Sequence, residues 1–354
     1  MTETGMNTSA TPSPGREPTD TGTLLEVRGL KTEFVTATGR VAAVRDVSFS
    51  VRRRQRLAIV GESGSGKSAM AMSIVGLIQP PGRISGGEVL LDGRNLIGLP
   101  DKEMSRIRGR RISLVFQDPM SAFDPIRTIG AQLVESIRAH QPVSRRVAGR
   151  QAADLLGEVG VVDPAHRLSD YPHQYSGGMR QRVLIAMALA NSPELVIADE
   201  PTTALDVTTQ AQVLGLLDRL VTDRGAALML ITHNLGIVAG FCDSVNVMYA
   251  GQLIEESRSR DLFRSAAHPY SRQLLQCVLR TDRRQQGLLS TIPGALPDPT
   301  RPLHGCAFEP RCPRGKDNSL CRSTEPDLVQ VGTHGGRQLA KCHFAGAHEP
   351  EETK

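Results

Sequence analysis

The apolar positions of this chain change period as it proceeds, and the changes divide it. Residues 1–22 carry Thr, Ser, Pro, Gly and Glu with almost no large apolar side chains, which predicts a disordered tail. Leu24-Leu25-Glu26-Val27 opens a strand. Val47, Phe49 and Val51 then alternate with polar neighbours, as in a strand buried on one face. Residues 86–93 form a further strand bounded by turn signals. No crossover helix separates these early strands, so they are expected to be antiparallel.

Later the pattern shifts to short, wholly apolar runs. Residues 57–60, 112–116, 195–198 and 227–231 read as buried strands. Residues 69–77 read as a helix, as does roughly 209–222. The stretch 129–190 also reads helical, broken at Pro142, Pro164 and Pro172. Strands alternating with helices predict a parallel α/β core. Residues 245–255 read as a closing hairpin around Ala250-Gly251-Gln252. From Thr281 onward Arg, Pro, Gly and Cys dominate and periodicity fades, which suggests a separate small module.

Gly61-Glu62-Ser63-Gly64-Ser65-Gly66-Lys67-Ser68 joins one apolar strand to the first helix and fits the phosphate-loop pattern G-x-x-x-x-G-K-[ST]. Glycines let backbone N–H groups turn inward around phosphates, and the helix N-terminus adds its positive end. Lys67 would reach the β- and γ-phosphates, and the Ser68 hydroxyl would ligate Mg²⁺. Asp199 and Glu200 close another apolar strand. An acid there can hold Mg²⁺, a role that falls to Asp199, and Glu200 would polarise the attacking water. The plainer alternative is an acid pair at a helix N-terminus, since Pro201 follows. Ser176-Gly177-Gly178 opens an apolar helix and could form a second anion site or an ordinary cap.

Length and composition narrow the classes. A chain of 354 residues with 39% hydrophobic content suggests roughly two domains. The longest apolar run, residues 183–190, is far short of the ~20 residues that span a bilayer. With no apolar secretory segment at its start, the chain is expected to be cytosolic, reaching a membrane only through a partner. A net charge of +5 with 3% aromatic residues offers few stacking platforms for nucleic acid, so a mildly basic enzyme is expected. Cys242 and Cys277 read as core or near-core residues.

In this order the motifs resemble the nucleotide-binding subunit of an ATP-binding-cassette (ABC) transporter. Ser176-Gly177-Gly178-Met179-Arg180-Gln181 is similar to the family signature, with Tyr175 and Met179 departing from the usual leucine and glutamine. Gln117 resembles the Q-loop glutamine, Thr203-Ala204-Leu205-Asp206 the D-loop, His233 the switch histidine and Phe34 the aromatic that stacks on adenine. The resemblance implies a P-loop NTPase fold of the ABC type, α/β, with a mixed sheet core, an antiparallel β subdomain and a helical subdomain. It also implies a tail (1–22), a nucleotide-binding domain (23–265) and a Cys-containing C-terminal extension (266–354).

The site it implies takes Lys67, Gln117, Glu200 and His233 as catalytic residues. Phe34, Gly61, Ser63, Gly64, Ser65, Gly66, Lys67, Ser68, Gln117 and Asp199 would bind ATP, with Ser68, Gln117 and Asp199 on Mg²⁺. Two such domains would pair head to tail, so Ser176 and Gly178 would face the partner's ATP. The helical region near 115–175 would dock a membrane subunit, with residues 118–125 as a contact.

Phe116-Gln117-Asp118-Pro119-Met120, Ala266-Ala267-His268-Pro269-Tyr270-Ser271, Ile292-Pro293-Gly294 and Gly305-Cys306-Ala307-Phe308-Glu309-Pro310-Arg311-Cys312 resemble the oligopeptide/dipeptide importer branch. Departures are Arg52-Arg53-Arg54-Gln55-Arg56, where that branch usually has a Gly-Glu turn, and Asn234, where aspartate is usual. The branch implies an ATPase on the cytoplasmic face of the membrane. Its partners would be a second, different ATPase, two permease subunits and, indirectly, a peptide-binding lipoprotein. A nickel importer of the same branch is the alternative, and a soluble ABC ATPase acting on DNA or ribosomes a more distant one.

Cys306, Cys312, Cys321 and Cys342 follow the spacing C-x5-C-x8-C-x20-C. Four thiolates suit a [4Fe–4S] cluster, and no C-x-x-C knuckle marks a zinc ribbon. Zinc remains open, with His304 and His343 as substitute ligands, and two disulfides are a third reading. The branch resemblance favours the [4Fe–4S] cluster in a structural role.

Overall fold

The computed structural model describes residues 22–37, 39–203, 205–279, 292–331 and 337–345. Residues 1–21 of the expected tail and Ala204 of the D-loop lie outside them. Strands β1 (Thr23–Thr36) and β2 (Gly39–Arg52) form a long antiparallel pair, with Leu25 opposite Val51 and Val27 opposite Phe49. Strand β3 (Arg56–Val60) enters the core and leads through the phosphate loop to α1 (Lys67–Ile74). Strands β4 (Gly82–Leu91) and β5 (Arg94–Asn95) then complete a four-stranded sheet in the order β2-β1-β4-β5. The antiparallel pairing follows the sequence expectation, although β1 and β2 run longer than their alternation suggests.

Helix α2 (Asp101–Ile107) leads to β6 (Ile112–Val115). The helical stretch resolves into α3 (Pro119–Ala122), α4 (Ile129–Arg138), α5 (Arg145–Glu158), α6 (Pro164–Arg167) and α7 (Gly177–Leu189). Side chains cap the longer helices: Thr128 accepts from Ala131 N–H, Ser144 from Val147 N–H and Ser176 from Met179 N–H. Then come β7 (Leu195–Asp199), α8 (Val207–Asp223), β8 (Ala227–Thr232), α9 (Leu235–Phe241), β9 (Ser244–Tyr249) and β10 (Gln252–Arg258). The C-terminal part adds α10 (Ser259–Ser265), α11 (Pro269–Leu279), α12 (Ser319–Ser323), β11 (Leu328–Gln330) and β12 (Leu339–Lys341).

The core sheet runs β11-β12-β10-β9-β3-β8-β7-β6, parallel from β9 to β6. It is covered on both faces, which is why its strands read as unbroken apolar runs. Ala58, Val60, Ala198, Leu228 and Leu230 face the helical side. Leu57, Ile59, Ile197, Met229 and Ile231 face α1 and the antiparallel sheet. The basic run at 52–56 has a structural use. Arg53 pairs with Asp92 at 2.7 Å and Glu194 at 2.8 Å, and Arg111 joins the same two acids. These pairs stitch the antiparallel sheet to the core. Cys242 is buried and Cys277 partly buried, as core and near-core residues should be.

The C-terminal segment does not stand apart. Strand β12 hydrogen-bonds to β10, with Ala340 opposite Glu255, so the tail extends the core sheet. Strands of three residues are too short to show a period, so the sequence pattern could not reveal them. Glu255 is wholly buried and accepts from Ala267 N–H at 2.8 Å, His268 N–H at 2.9 Å and Gln338 Nε2 at 2.9 Å. Burial pushes the Glu255 carboxyl upward against those bonds, and it holds the imidazole of wholly buried His268 down to about 3. Tyr249, Tyr270 and Phe308 stack into one aromatic cluster, with Phe308 ring centroids 5.3 and 5.4 Å from the two tyrosines.

Phe308 lies in the main apolar core, with residues of the central sheet. Phe308→Ala is therefore expected to cost about 3–5 kcal/mol and to lower the melting midpoint of the whole chain. A midpoint unchanged in thermal denaturation would show that the segment folds independently of the central sheet.

Candidate active site

The phosphate loop leaves a strand buried from Leu57 to Val60 and returns as α1, so both its ends are fixed. Gly66 has φ +101°, and a Cβ on it would overlap the Ala43 carbonyl oxygen of β2. Only glycine satisfies both conditions. Lys67 is 5% exposed and folds back into the loop, where its Nζ donates to the carbonyls of Gly61 at 2.8 Å and Glu62 at 2.9 Å. Burial lowers its ammonium from the usual lysine range, and the charges of Glu200, Asp199 and Glu62 oppose that. Ser65 is buried beneath the loop, while Ser63 and Gly64 are exposed.

Asp199 ends β7 and is buried. Burial raises its pKa, and the neighbouring Ser68 side chain opposes that rise. Its Oδ1 is buried without a hydrogen-bond partner. A buried carboxylate oxygen with nothing to satisfy it, beside a hydroxyl, fits a hard cation such as Mg²⁺.

Glu200 follows with φ +45°, a left-handed conformation for a side-chain-bearing residue. That backbone turn accompanies a carboxylate held from three directions. Gln117 Nε2 donates to Oε2 at 2.9 Å, the Thr203 hydroxyl donates to the same oxygen at 2.9 Å, and His233 Nδ1 stands 3.2 Å from Oε1. Burial would raise the Glu200 carboxyl. The Thr203 and His233 hydrogen bonds, with the His233 and Lys67 charges, outweigh it and hold the group below the usual range. The ends of β6, β7 and β8 supply Gln117, Glu200 and His233, so three neighbouring strand ends converge on one carboxylate.

The structure thus brings together Lys67, Ser68, Asp199, Glu200, Gln117 and His233. Ser176 lies at the exposed start of α7, and Gly178 packs so closely on Thr209 that a Cβ there would meet its methyl at 2.8 Å. Phe34 is half-buried on β1, its ring edge against Gly82, beside Ile78. Asn234 caps α9 by accepting from Gly236 N–H at 3.0 Å, a role the amide oxygen fills as well as a carboxylate would. Thr203 is the partner that sequence reasoning left without a role, because a D-loop hydroxyl carries no distance information.

Cys306, Cys312, Cys321 and Cys342 are free thiols that line one small cavity with His268, Phe308 and His343. A Cβ on Gly315 would stand 3.1 Å from Cys321 Sγ and 3.4 Å from Cys312 Sγ, so a side chain there would press on both sulfurs. Burial pushes the Cys306 thiol up to about 11 and also raises Cys321 and Cys342. Among the described residues, no three His, Cys, Asp or Glu side chains close to the spacing that holds a single metal ion.

Comparison with known proteins gives concordant matches. Residues 44–203 match the family model described as ABC transporter, and residues 254–321 match that described as oligopeptide/dipeptide transporter, C-terminal region. A probable peptide ABC transporter ATP-binding protein of Sinorhizobium fredii is 47% identical over 309 residues, covering 87% of this chain and 92% of its own. The oligopeptide transport ATP-binding protein OppD of Salmonella typhimurium is 44% identical, covering 91% of this chain and 94% of its own. A dimeric post-hydrolysis state of the ATP-binding cassette MJ0796, bound to ADP and Pi, superposes with a TM-score of 0.60 at 27% identity. That likeness covers 67% of this chain and 99% of the cassette.

Gly66→Ala is expected to weaken MgATP binding by roughly thirty-fold or more, since left-handed strain alone costs about 1–2 kcal/mol before the overlap with Ala43 is counted. Calorimetric titration with MgATP checks this, and affinity within a factor of two of the unsubstituted protein would contradict it.

Proposed function

The chain belongs to the ABC transporter family, in its oligopeptide/dipeptide branch, and from that premise we propose a residue-level account of how it works. It is an ATPase that powers a peptide importer and operates with membrane permease partners. Relatives named for peptides favour that cargo over nickel. The observation that carries the catalytic reading is the Glu200 carboxylate, gripped by Gln117, Thr203 and His233.

In this account the N–H groups of Gly61, Ser63, Gly64, Ser65 and Gly66 cradle the phosphates, and Lys67 exchanges its loop carbonyls for β- and γ-phosphate oxygens. Ser68, Asp199 and Gln117 would hold Mg²⁺, which neutralises charge on the phosphates when bound. Glu200, kept ionised by its neighbours, accepts the proton of the attacking water. His233 and Gln117 hold the Glu200 carboxylate in line. Phe34 faces adenine. Ser176 and Gly178 complete the site of an opposed ATPase domain, so closure of the pair excludes water and assembles the charge cage.

The finer assembly is a second, different ATPase subunit, two permeases and a peptide-binding lipoprotein reached through them. Residues 118–125 take the permease contact, where Met120 and Ile126 beside it are exposed apolar side chains. Among the described residues no helix is long and apolar enough to cross a membrane. The reading is a peripheral subunit on the cytoplasmic face. The organisation that goes with it is a nucleotide-binding domain over 23–265 and an extension over 266–354.

For the four cysteines the reading is one [4Fe–4S] cluster, with Zn²⁺ as the rival. Four sulfurs around one cavity supply the ligand set. Thiolates around an eight-atom cluster stand farther apart than the four on one zinc, where each Zn–S bond is about 2.3 Å. Bound there, it would supply folding energy to a segment with little core of its own.

Glu200→Gln is expected to bind MgATP, to trap a closed dimer and to lose at least about 100-fold in turnover in the assembled transporter. Unchanged turnover would remove Glu200 from this role. For the cysteines, anaerobic purification should give a brown protein with about four irons per chain, and Cys321→Ser should bleach it. A colourless protein with stoichiometric zinc would decide for the rival.

A further inference from the structure

One ion pair crosses from the cysteine segment into the phosphate loop. Arg311 Nη1 stands 2.9 Å from Glu62 Oε2, and Nη2 stands 3.2 Å from Oε1, a two-pronged grip. The Arg311 side chain is 5% exposed. Its remaining donors are also used: Nε on the Pro293 carbonyl at 2.9 Å, Nη2 on the Ile292 carbonyl at 3.0 Å and Nη1 on the Tyr249 hydroxyl at 3.3 Å. Arg311 is thus fixed by its own segment and presents two N–H groups to one loop residue.

Glu62 is the second residue of the phosphate loop and is held at three points. Its N–H donates to the Tyr270 hydroxyl at 2.9 Å, its carbonyl accepts from Lys67 Nζ at 2.9 Å, and its carboxylate is in the grip of Arg311. Two further contacts bind the segment to the same region. Leu296 Cδ1 lies 3.5 Å from where a Gly64 Cβ would be, and the Pro299 carbonyl accepts from Ala42 N–H at 3.2 Å.

A carboxylate inside a phosphate-binding loop is a liability, because it repels the anion the loop must hold. Half-burial makes it worse, since screening by water falls. Arg311 cancels that charge and fixes the peptide that Lys67 leans on. We infer that Arg311 is a positioning residue of the nucleotide site: it neutralises Glu62 and holds the loop open to phosphate, so ATP binding depends on the docked C-terminal segment. The inference rests on the ATPase reading and adds a residue that acts on ATP only through Glu62.

The charge argument gives a test that a merely architectural arginine would fail. In the full chain, Arg311→Ala leaves the Glu62 carboxylate bare. It should raise the MgATP Kd, and the KM of the assembled transporter, by about ten-fold, with kcat changed by less than about three-fold. Adding Glu62→Gln removes the bare charge and should return affinity to within about three-fold of the unsubstituted chain. Glu62→Gln alone, which needs no loss of Arg311, should bind MgATP at least as tightly as the unsubstituted chain. Equal affinity in Arg311→Ala, a double variant as weak as Arg311→Ala, or weaker binding by Glu62→Gln alone would each overturn the inference. An unsubstituted chain that bound no MgATP would overturn the ATPase reading and this one with it.

Discussion

The site is organised around a buried ammonium. Lys67 sits at the first turn of α1, where the helix dipole is positive and water is nearly excluded. A cation there is costly unless oxygen atoms surround it. The chain meets the demand with two loop carbonyls and with the field of Glu200 and Asp199. The same need suits the proposed polyanion, whose oxygens would take the place of the two loop carbonyls. It also explains why β7 must end next to β8, the strand that separates it from β3, since the balancing acids sit at its end.

Balance of charge then constrains everything that touches the loop. Glu200 is held by neutral or switchable partners, a glutamine, a threonine and a histidine, which suits the base proposed for it. Glu62, which has no chemistry to perform, is met by a permanently charged arginine. Around them the scaffold is over-determined. The core sheet is covered on both faces, the Arg53–Asp92–Glu194–Arg111 network fastens the antiparallel sheet to it, and β12 seals its edge.

The C-terminal segment shows how far a short-period pattern can mislead. Residues 292–331 contain little regular structure, yet Phe308 enters the main core and Arg311 reaches the phosphate loop. Their partners are distant in sequence: Glu62 and Arg311 are 249 residues apart. No local rule connects them.

By itself the sequence determined the strand, loop and helix that hold phosphate, because a G-x-x-x-x-G-K-[ST] run between a buried strand and a helix is a local pattern with local causes. It also determined the parallel core, through apolar runs with no polar face, and the acids at the end of β7. Only the tertiary structure decided which side chains meet. That Thr203 joins Gln117 and His233 on Glu200, that four cysteines line one cavity and that Arg311 grips Glu62 follow from where strand ends and loops converge. Convergence is a property of sheet order and packing, and neither is written in the spacing of residues along the chain.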